Sequence, residues 1–249
     1  MSLFLTQPLH NLMGVALVAG CLALPGTVVA QEVEPEYSEE QWQDFGENED
    51  PWEPMNRTVF RFNDTVDRWA FKPVAKGYRA VTPDVVENGV HNVFRNLGEV
   101  RNLANNVLQF KMHDAGVDTA RFFFNTTFGL LGFFDVATKM GLQRNDEDFG
   151  QTLGAWGVKS GPYVVLPLLG PSTVRDTVSL YPDSYTSAYR QINDVPVRNS
   201  MFALNLVDTR ASLLSAERLV TGDKYRFVRN AYLQNREFKV KDGDVVDDF

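Results

Sequence analysis

The 249-residue chain has 44% hydrophobic and 22% charged residues, globular values that suit one ordinary domain or two small ones. Its one cysteine, Cys21, excludes an internal disulfide framework, and the 24 Lys and Arg, scattered without a cluster, weigh against nucleic acid as a partner. The net charge of -8 conceals a segregation: ten acids and no bases lie between residues 32 and 53, four acids follow from Asp242 on, and the body between them carries +6.

A mildly basic body suits an anionic lipid surface. The 18 Phe and 4 Trp are generous for a soluble domain. They read either as a Phe-rich core or as contact with lipid.

Residues 11 to 30 form an apolar run of secretory type, without the usual positive residues before it. Val18-Ala19-Gly20-Cys21 matches a bacterial lipobox, in which the Cys21 thiol takes a diacylglyceryl group after cleavage. Val28-Val29-Ala30 before Gln31 fits ordinary signal peptidase. The lipobox is the preferred reading, giving a signal peptide over 1–20, with 1–30 as the alternative. Leu22 is not Asp, which favours the outer membrane over retention at the inner one. Residues 21–49 read as an acidic disordered tether, 50–240 as a helical body and 241–249 as an acidic tail.

Asp50-Pro51-Trp52-Glu53 predicts a helix start, with Asp50 as cap, Pro51 in the first turn and Glu53 closing a capping box. Trp52, Met55, Val59, Phe62, Val66 and Trp69 then form an apolar stripe assigned to the inside, with Asn56, Arg57 and Asn63 off it. A second helix starts at Thr82-Pro83-Asp84 and ends at Gly98. A third carries Val100, Leu103, Val107 and Phe110 inward and Asn102, Asn105, Asn106 and Gln109 on an uncharged polar face. That face reads as solvated surface, with a neutral lining for a passing headgroup as the alternative.

Asp114 predicts the cap of the next helix, which leads into the most apolar stretch of the body, residues 121 to 141. Asn125, Thr126, Thr127 and Asp135 interrupt it, so it is no membrane-spanning helix. Gly129-Leu130-Leu131-Gly132 predicts a bend between two short helices. Periodicity favours a globular core over a hairpin that enters one leaflet.

Beyond it, Asp148 to Val158 reads as a short glycine-rich helix with turns. Gly161 to Pro171 is extended, and Pro167 argues against a central strand. Ser172 caps a helix from Thr173. Pro196 opens a longer one, with Met201, Leu204, Val207, Ala211 and Leu214 as its stripe. Asp223 starts the last, with Tyr225, Val228 and Tyr232 inward. The class is all-α.

His10, His91 and His113 are too scattered for a metal site, and no nucleophile elbow or phosphate-binding loop occurs. No metal, cofactor or catalytic residue is expected. Asp135 is the one lone candidate carboxylate for a lipid-modifying enzyme. Its preferred reading is a helix cap or a partner of Arg121 or Lys139. A structural surface lipoprotein involved in adhesion or spreading is the other alternative, with the Phe-rich stretch as its core.

Asp50-Pro51-Trp52-Glu53-Pro54-Met55-Asn56-Arg57 resembles the DPxExxNR motif of the MlaA (VacJ) family of outer-membrane phospholipid-transport lipoproteins. Arg121-Phe122-Phe123-Phe124-Asn125-Thr126 with Gly129, Gly132 and Asp135 is similar to its RFFxNTxxGxxGxxD. Phe149 to Gly154, Gly157-Val158, Gly161-Pro162-Tyr163, Arg175-Asp176, Thr209-Arg210-Ala211 and Tyr225 to Tyr232 continue the series over about residues 50 to 238. The resemblance implies a ring of short amphipathic helices around a central channel, on the periplasmic face of the outer membrane. It implies removal of misplaced outer-leaflet phospholipid, delivery to a periplasmic lipid-carrier protein, and a trimeric porin as neighbour. It implies lipid or channel contact by the hairpin residues Phe123, Phe124, Asn125, Thr126, Gly129, Gly132, Phe133 and Asp135. Asp50, Pro51, Glu53, Asn56 and Arg57 carry the N-terminal motif.

Overall fold

The computed structural model describes residues 50–244. Cys21, both cleavage sites, the tether and the last five residues lie outside the described residues. Nine α-helices run α1 Glu53–Val66, α2 Lys72–Val81, α3 Asp84–Leu108, α4 Met112–Phe128, α5 Val136–Lys139, α6 Phe149–Ala155, α7 Val174–Thr186, α8 Val195–Ser212 and α9 Lys224–Val240 among the described residues. Two four-residue strands, β1 Tyr163–Leu166 and β2 Gly170–Thr173, pair antiparallel in the segment expected to be extended, with Pro167 in their turn. The all-α class stands.

α1 and α2 are one rod joined by a π-helical turn, Asp67–Phe71. Pro73 explains it. Proline has no N–H and its ring crowds the carbonyl four residues back. The wider turn relieves this, with the Lys72 N–H bonded to the Asp67 carbonyl five residues back.

Several boundaries correct the sequence reading. α1 starts at Glu53 with Trp52 as its cap residue and no side-chain cap bond. Asp50 is not a cap, because its carboxylate is buried and accepts from Asn56 Nδ2 at 2.7 Å and from the Tyr225 hydroxyl. Glu53 closes no capping box; it accepts from Arg57 Nε at 2.6 Å. α3 runs unbroken through Gly98, where the missing side chain leaves room for the Arg144 guanidinium. A single glycine costs a helix only about 1 kcal/mol. Asp114 lies in the first turn of α4 rather than at its cap. Thr173, not Ser172, caps α7 by accepting from the Asp176 N–H. Asp223 caps α9, the start expected there, and Asp148 and Asp194 cap α6 and α8, where no cap was assigned.

The larger correction concerns which side is inside. Trp52, Met55, Phe62 and Trp69 of the α1 stripe are exposed, Trp69 to 79%, while Asn56 is fully buried. On α3 and after it, Val100, Val107 and Phe110 are exposed and Asn102, Asn105 and Asn106 buried. Leu204 of the α8 stripe is exposed too, although Ala211 is buried. Among the described residues, twenty-one polar or charged side chains are buried against eight apolar ones, so the interior is polar. The apolar core is a small cluster of Tyr163, Val165, Tyr225 and Leu233.

Asn56 and Asn63 show how such an interior holds together. Asn56 donates to the Tyr163 carbonyl at 3.0 Å and accepts from the Val165 N–H at 2.9 Å. One turn-pair later, Asn63 donates to the Leu166 carbonyl and accepts from the Leu168 N–H, at 2.9 and 2.8 Å. Two side-chain amides thus cover an edge that a third strand would otherwise satisfy. Asn56→Ala leaves buried backbone groups unpaired and is expected to cost about 2 kcal/mol in a urea melt. A loss below about 0.5 kcal/mol would show that this edge does not need its amide.

Candidate functional site

Asn96, Glu99, Asn102, Asn105 and Asn106 recur every three or four residues on one side of α3. Asp118, Arg121 and Asn125 do the same on α4, which packs along α3. All eight are buried. Burial of polar groups is tolerable only when they are hydrogen-bonded, and these largely are. Arg121 is the hub. Its guanidinium donates to Glu99 at 2.9 Å, Thr138 at 3.0 Å, the Leu142 carbonyl at 2.5 Å and Asp135 at 3.3 Å. Glu99 accepts a second bond from Asn102 Nδ2, 2.9 Å, and Asn102 in turn reaches the Asn145 carbonyl and the Glu147 N–H. Asn106 donates to Asp118 at 2.7 Å.

The hairpin sits on this network. α4 ends at Phe128, and Gly129 to Gly132 turn the chain toward α5. The expected Gly-Leu-Leu-Gly bend is there. Gly132 has φ +93, and a Cβ on it would fall 2.6 Å from that of Asn96. A Cβ on Gly129 would meet the Phe134 carbonyl at 2.2 Å. Leu130 and Leu131 also adopt positive φ, 53 and 58, at the tip. Bulky residues are rarely held there. Beneath them Asn125 donates to Asp135 at 3.1 Å and accepts from the Ala137 N–H at 2.9 Å, and Asn96 donates to Thr126 at 2.9 Å.

Asp135 caps α5 by accepting from the Thr138 N–H at 3.0 Å and from its hydroxyl at 2.6 Å. Burial alone would raise its pKa, but these bonds, with Arg121 and Asn125, hold the carboxyl down at about 2. That is a carboxylate committed to structure: at neutral pH it has no proton to give as an acid, and so low a pKa makes it a feeble base.

The expected hairpin residues therefore divide. Asn125, Gly129 and Gly132 are buried, Phe124, Thr126, Phe133 and Asp135 half-buried, and Phe123 exposed. Around Phe123, the side chains of Phe122, Phe128, Leu130, Leu131 and Phe134 also face outward, Leu131 at 72%. A globular core is the wrong description of this stretch, because most of its large apolar side chains are exposed and its rings pack chiefly on one another.

The N-terminal motif is built into a different cluster. Asp50 and Asn56 join Tyr225 and β1, Glu53 pairs with Arg57, and Arg57 lies over the Tyr225 ring at 4.4 Å while bonding Asp223 at 2.8 Å. Pro51 is exposed. A third cluster joins α6, α7 and α9. Arg236 bonds Asp148 at 2.5 Å and Asp176 at 2.9 Å, and Tyr232 donates to Asp176 at 2.8 Å. Gly150 permits it, since a Cβ there would lie 2.2 Å from the Arg236 guanidinium. Burial opposes the Arg236 charge, but Asp148 and Asp176 hold its pKa well above the usual range.

Sequence reasoning missed Glu99, Asp118 and Arg236, and it assigned the α3 amides to solvent. The available signal was their type. Asn is a poor helix former, and several on one helix face imply buried partners. Arg95 was missed as well. It is half-buried on α3, with no ion pair or hydrogen bond among the described residues. Burial, reinforced by Arg144, lowers its pKa.

A hydrogen-bonded polar interior under a surface with many exposed large apolar side chains defines a class of helical protein suited to a lipid surface. No helix among the described residues is long and apolar enough to cross a membrane. The chain belongs to the MlaA lipoprotein family, whose family model matches residues 48–239. It is 35% identical over 207 residues to the intermembrane phospholipid transport system lipoprotein MlaA of Haemophilus influenzae, covering 81% of this chain and 83% of that one. The protein of the same name from Escherichia coli K12 is 36% identical over 202 residues, 79% of this chain and 80% of the relative. A solved structure described as the structural basis for maintenance of bacterial outer membrane lipid asymmetry matches with a TM-score of 0.68 at 34% identity, over 77% of this chain and 98% of that one.

Proposed function

We propose that this protein transports phospholipid at the outer membrane, taking up molecules misplaced in the outer leaflet and passing them to a periplasmic carrier, so that the two leaflets stay unlike. The observation that carries this is the inverted distribution of polarity. A headgroup crossing bare hydrocarbon costs several kcal/mol, and a helical body with amides and charges inside supplies a route around that cost. Its outward Phe, Leu and Val side chains suit acyl chains. In this reading the helices ring a central channel and the protein performs no catalysis. It is anchored through Cys21 to the periplasmic face of the membrane and stands beside a trimeric porin. Deleting the gene and assaying outer-leaflet phospholipid tests it: accumulation that the wild-type gene reverses is expected, and an unchanged outer leaflet rejects the role. The adhesion alternative required a closed core of Phe rings, and the exposed Phe122, Phe123 and Phe128 weigh against it.

The hairpin tip gives a second test. Leu130→Gly and Leu131→Gly replace bulky residues at positive φ with the residue that takes this conformation freely. Relief of about 1 kcal/mol per site is expected from the backbone. Retained or raised thermal stability together with weaker flotation on phospholipid vesicles is the expected pair of results. Unchanged flotation would mean that the tip does not contact lipid.

A further inference from the structure

Lys72, Lys76 and Arg79 lie at positions i, i+4 and i+7 of α2, a single stripe rising roughly 10 Å. Ser215 and Arg218 face it from the turn after α8, and Ala80, Leu214 and Glu217 complete a groove of about 640 Å³. The charges do not balance. Glu217 is taken up by Lys72 at 2.7 Å and by Arg210 at 3.0 Å. Arg79 has only a long bond to Ser215, 3.5 Å, and Glu87 at 3.6 Å. Lys76 and Arg218 are exposed, with no ion pair among the described residues. Cations held this close repel one another, and an anion placed between them removes that repulsion.

Part of the groove wall is apolar. Ala80 on α2 and Leu214 after α8 line it beside the cations. A basic groove with aliphatic residues in its wall matches an anionic amphiphile: phosphate oxygens on the cations, the first acyl carbons on Ala80 and Leu214. A zwitterionic headgroup fits worse, because its ammonium would enter the field of Lys76 and Arg218, the two groove cations without an ion pair among the described residues.

We infer that the groove between α2 and the turn after α8 is a headgroup site that selects phospholipids of net negative charge. It rests on the phospholipid reading above and adds a preference among phospholipids. The full-length protein in neutral detergent is titrated with short-chain phosphatidylglycerol and, separately, with short-chain phosphatidylethanolamine. The Lys76→Gln/Arg218→Gln double variant is compared with the parent. Phosphatidylglycerol is expected to bind tighter to the parent, and the double variant to lose about tenfold of that preference while its phosphatidylethanolamine affinity stays. Added salt weakens only the phosphatidylglycerol arm, which tests the charge term on the unsubstituted protein. Equal parent affinities, or a preference unchanged in the double variant, would overturn the inference and leave the transport reading standing. Competition by millimolar inorganic phosphate, with no dependence on the acyl chains, would assign the groove to free phosphate and overturn it as a lipid site. Binding of neither lipid by the parent would overturn the transport reading and the inference together.

Discussion

Arg121→Met is expected to lower the stability of the folded protein by about 4 kcal/mol, read by urea unfolding in detergent. The size follows from what is left behind. Arg121 and Glu99 are both buried, at 1% exposure each. Removing the guanidinium leaves the Glu99 carboxylate with Asn102 and with Arg144 Nε at 3.5 Å, too far for a hydrogen bond. It also strips a donor from the Leu142 carbonyl, Thr138 and Asp135, so that this segment loses part of its tie to α4. The pair as a whole is worth far less than either half, because each charge was desolvated on folding. Glu99→Gln in the Arg121→Met background should therefore restore part of the loss. The double-variant cycle separates the cost of an orphaned charge from the worth of the bridge. A single-variant loss under about 1 kcal/mol would mean that water reaches Glu99, and that the interior is wetter than its packing implies.

The same residues show what was legible in the chain. The helical class, the bend at Gly129 to Gly132, the short helix after Asp148 and the start of the last helix at Asp223 follow from local chemistry, and they are present. The stripes on α1 and α3 were found as well, but with inside and outside exchanged. Periodicity marks two faces of a helix and does not say which one meets solvent; that depends on what surrounds the whole body. Assigning apolar faces inward assumes water outside. Trp69 at 79% exposure opposite a fully buried Asn56 is not the arrangement that assumption gives. The caps that failed have a related cause. Asp50 and Asp114 stand where a cap is expected, yet Asp50 is claimed by Tyr225, 175 residues away. Long-range partners of this kind leave no mark on local sequence. Nor did the Arg236 cluster, whose acids come from α6 and α7 and whose base comes from α9.

Between pH 5 and pH 8, the parent protein should lose about 3 kcal/mol of stability relative to Asp118→Asn. Asp118 is fully buried on α4. Burial drives its pKa up, against the bond from Asn106, and Glu99 and Asp114 add to the rise, so the carboxyl is pushed up to about 7. The folded protein therefore binds this proton more tightly than the unfolded chain, whose aspartate titrates near 3.8. A raised folded pKa gives stability that is complete below the unfolded value, declines as pH rises through the interval, and is gone above about 7. The hydrogen bonds agree with the electrostatics. Asn106 Oδ1 and Asp118 Oδ1 are both buried without a donor. A protonated Asp118 carboxyl adds one donor to a buried pair that has an unsatisfied acceptor on each residue. An asparagine at this position supplies an N–H at every pH, so Asp118→Asn should melt higher than the parent at pH 8 and close to it at pH 5. The acids held by cations, Asp148 and Asp176, have lowered pKa values and lose their stabilising charge only in stronger acid, outside this window. Melting curves of the two proteins at both pH values isolate the one carboxyl that differs. Equal shifts in both would place Asp118 in its ionised form throughout, and the α3–α4 seam would then have to hold a bare charge with a single amide.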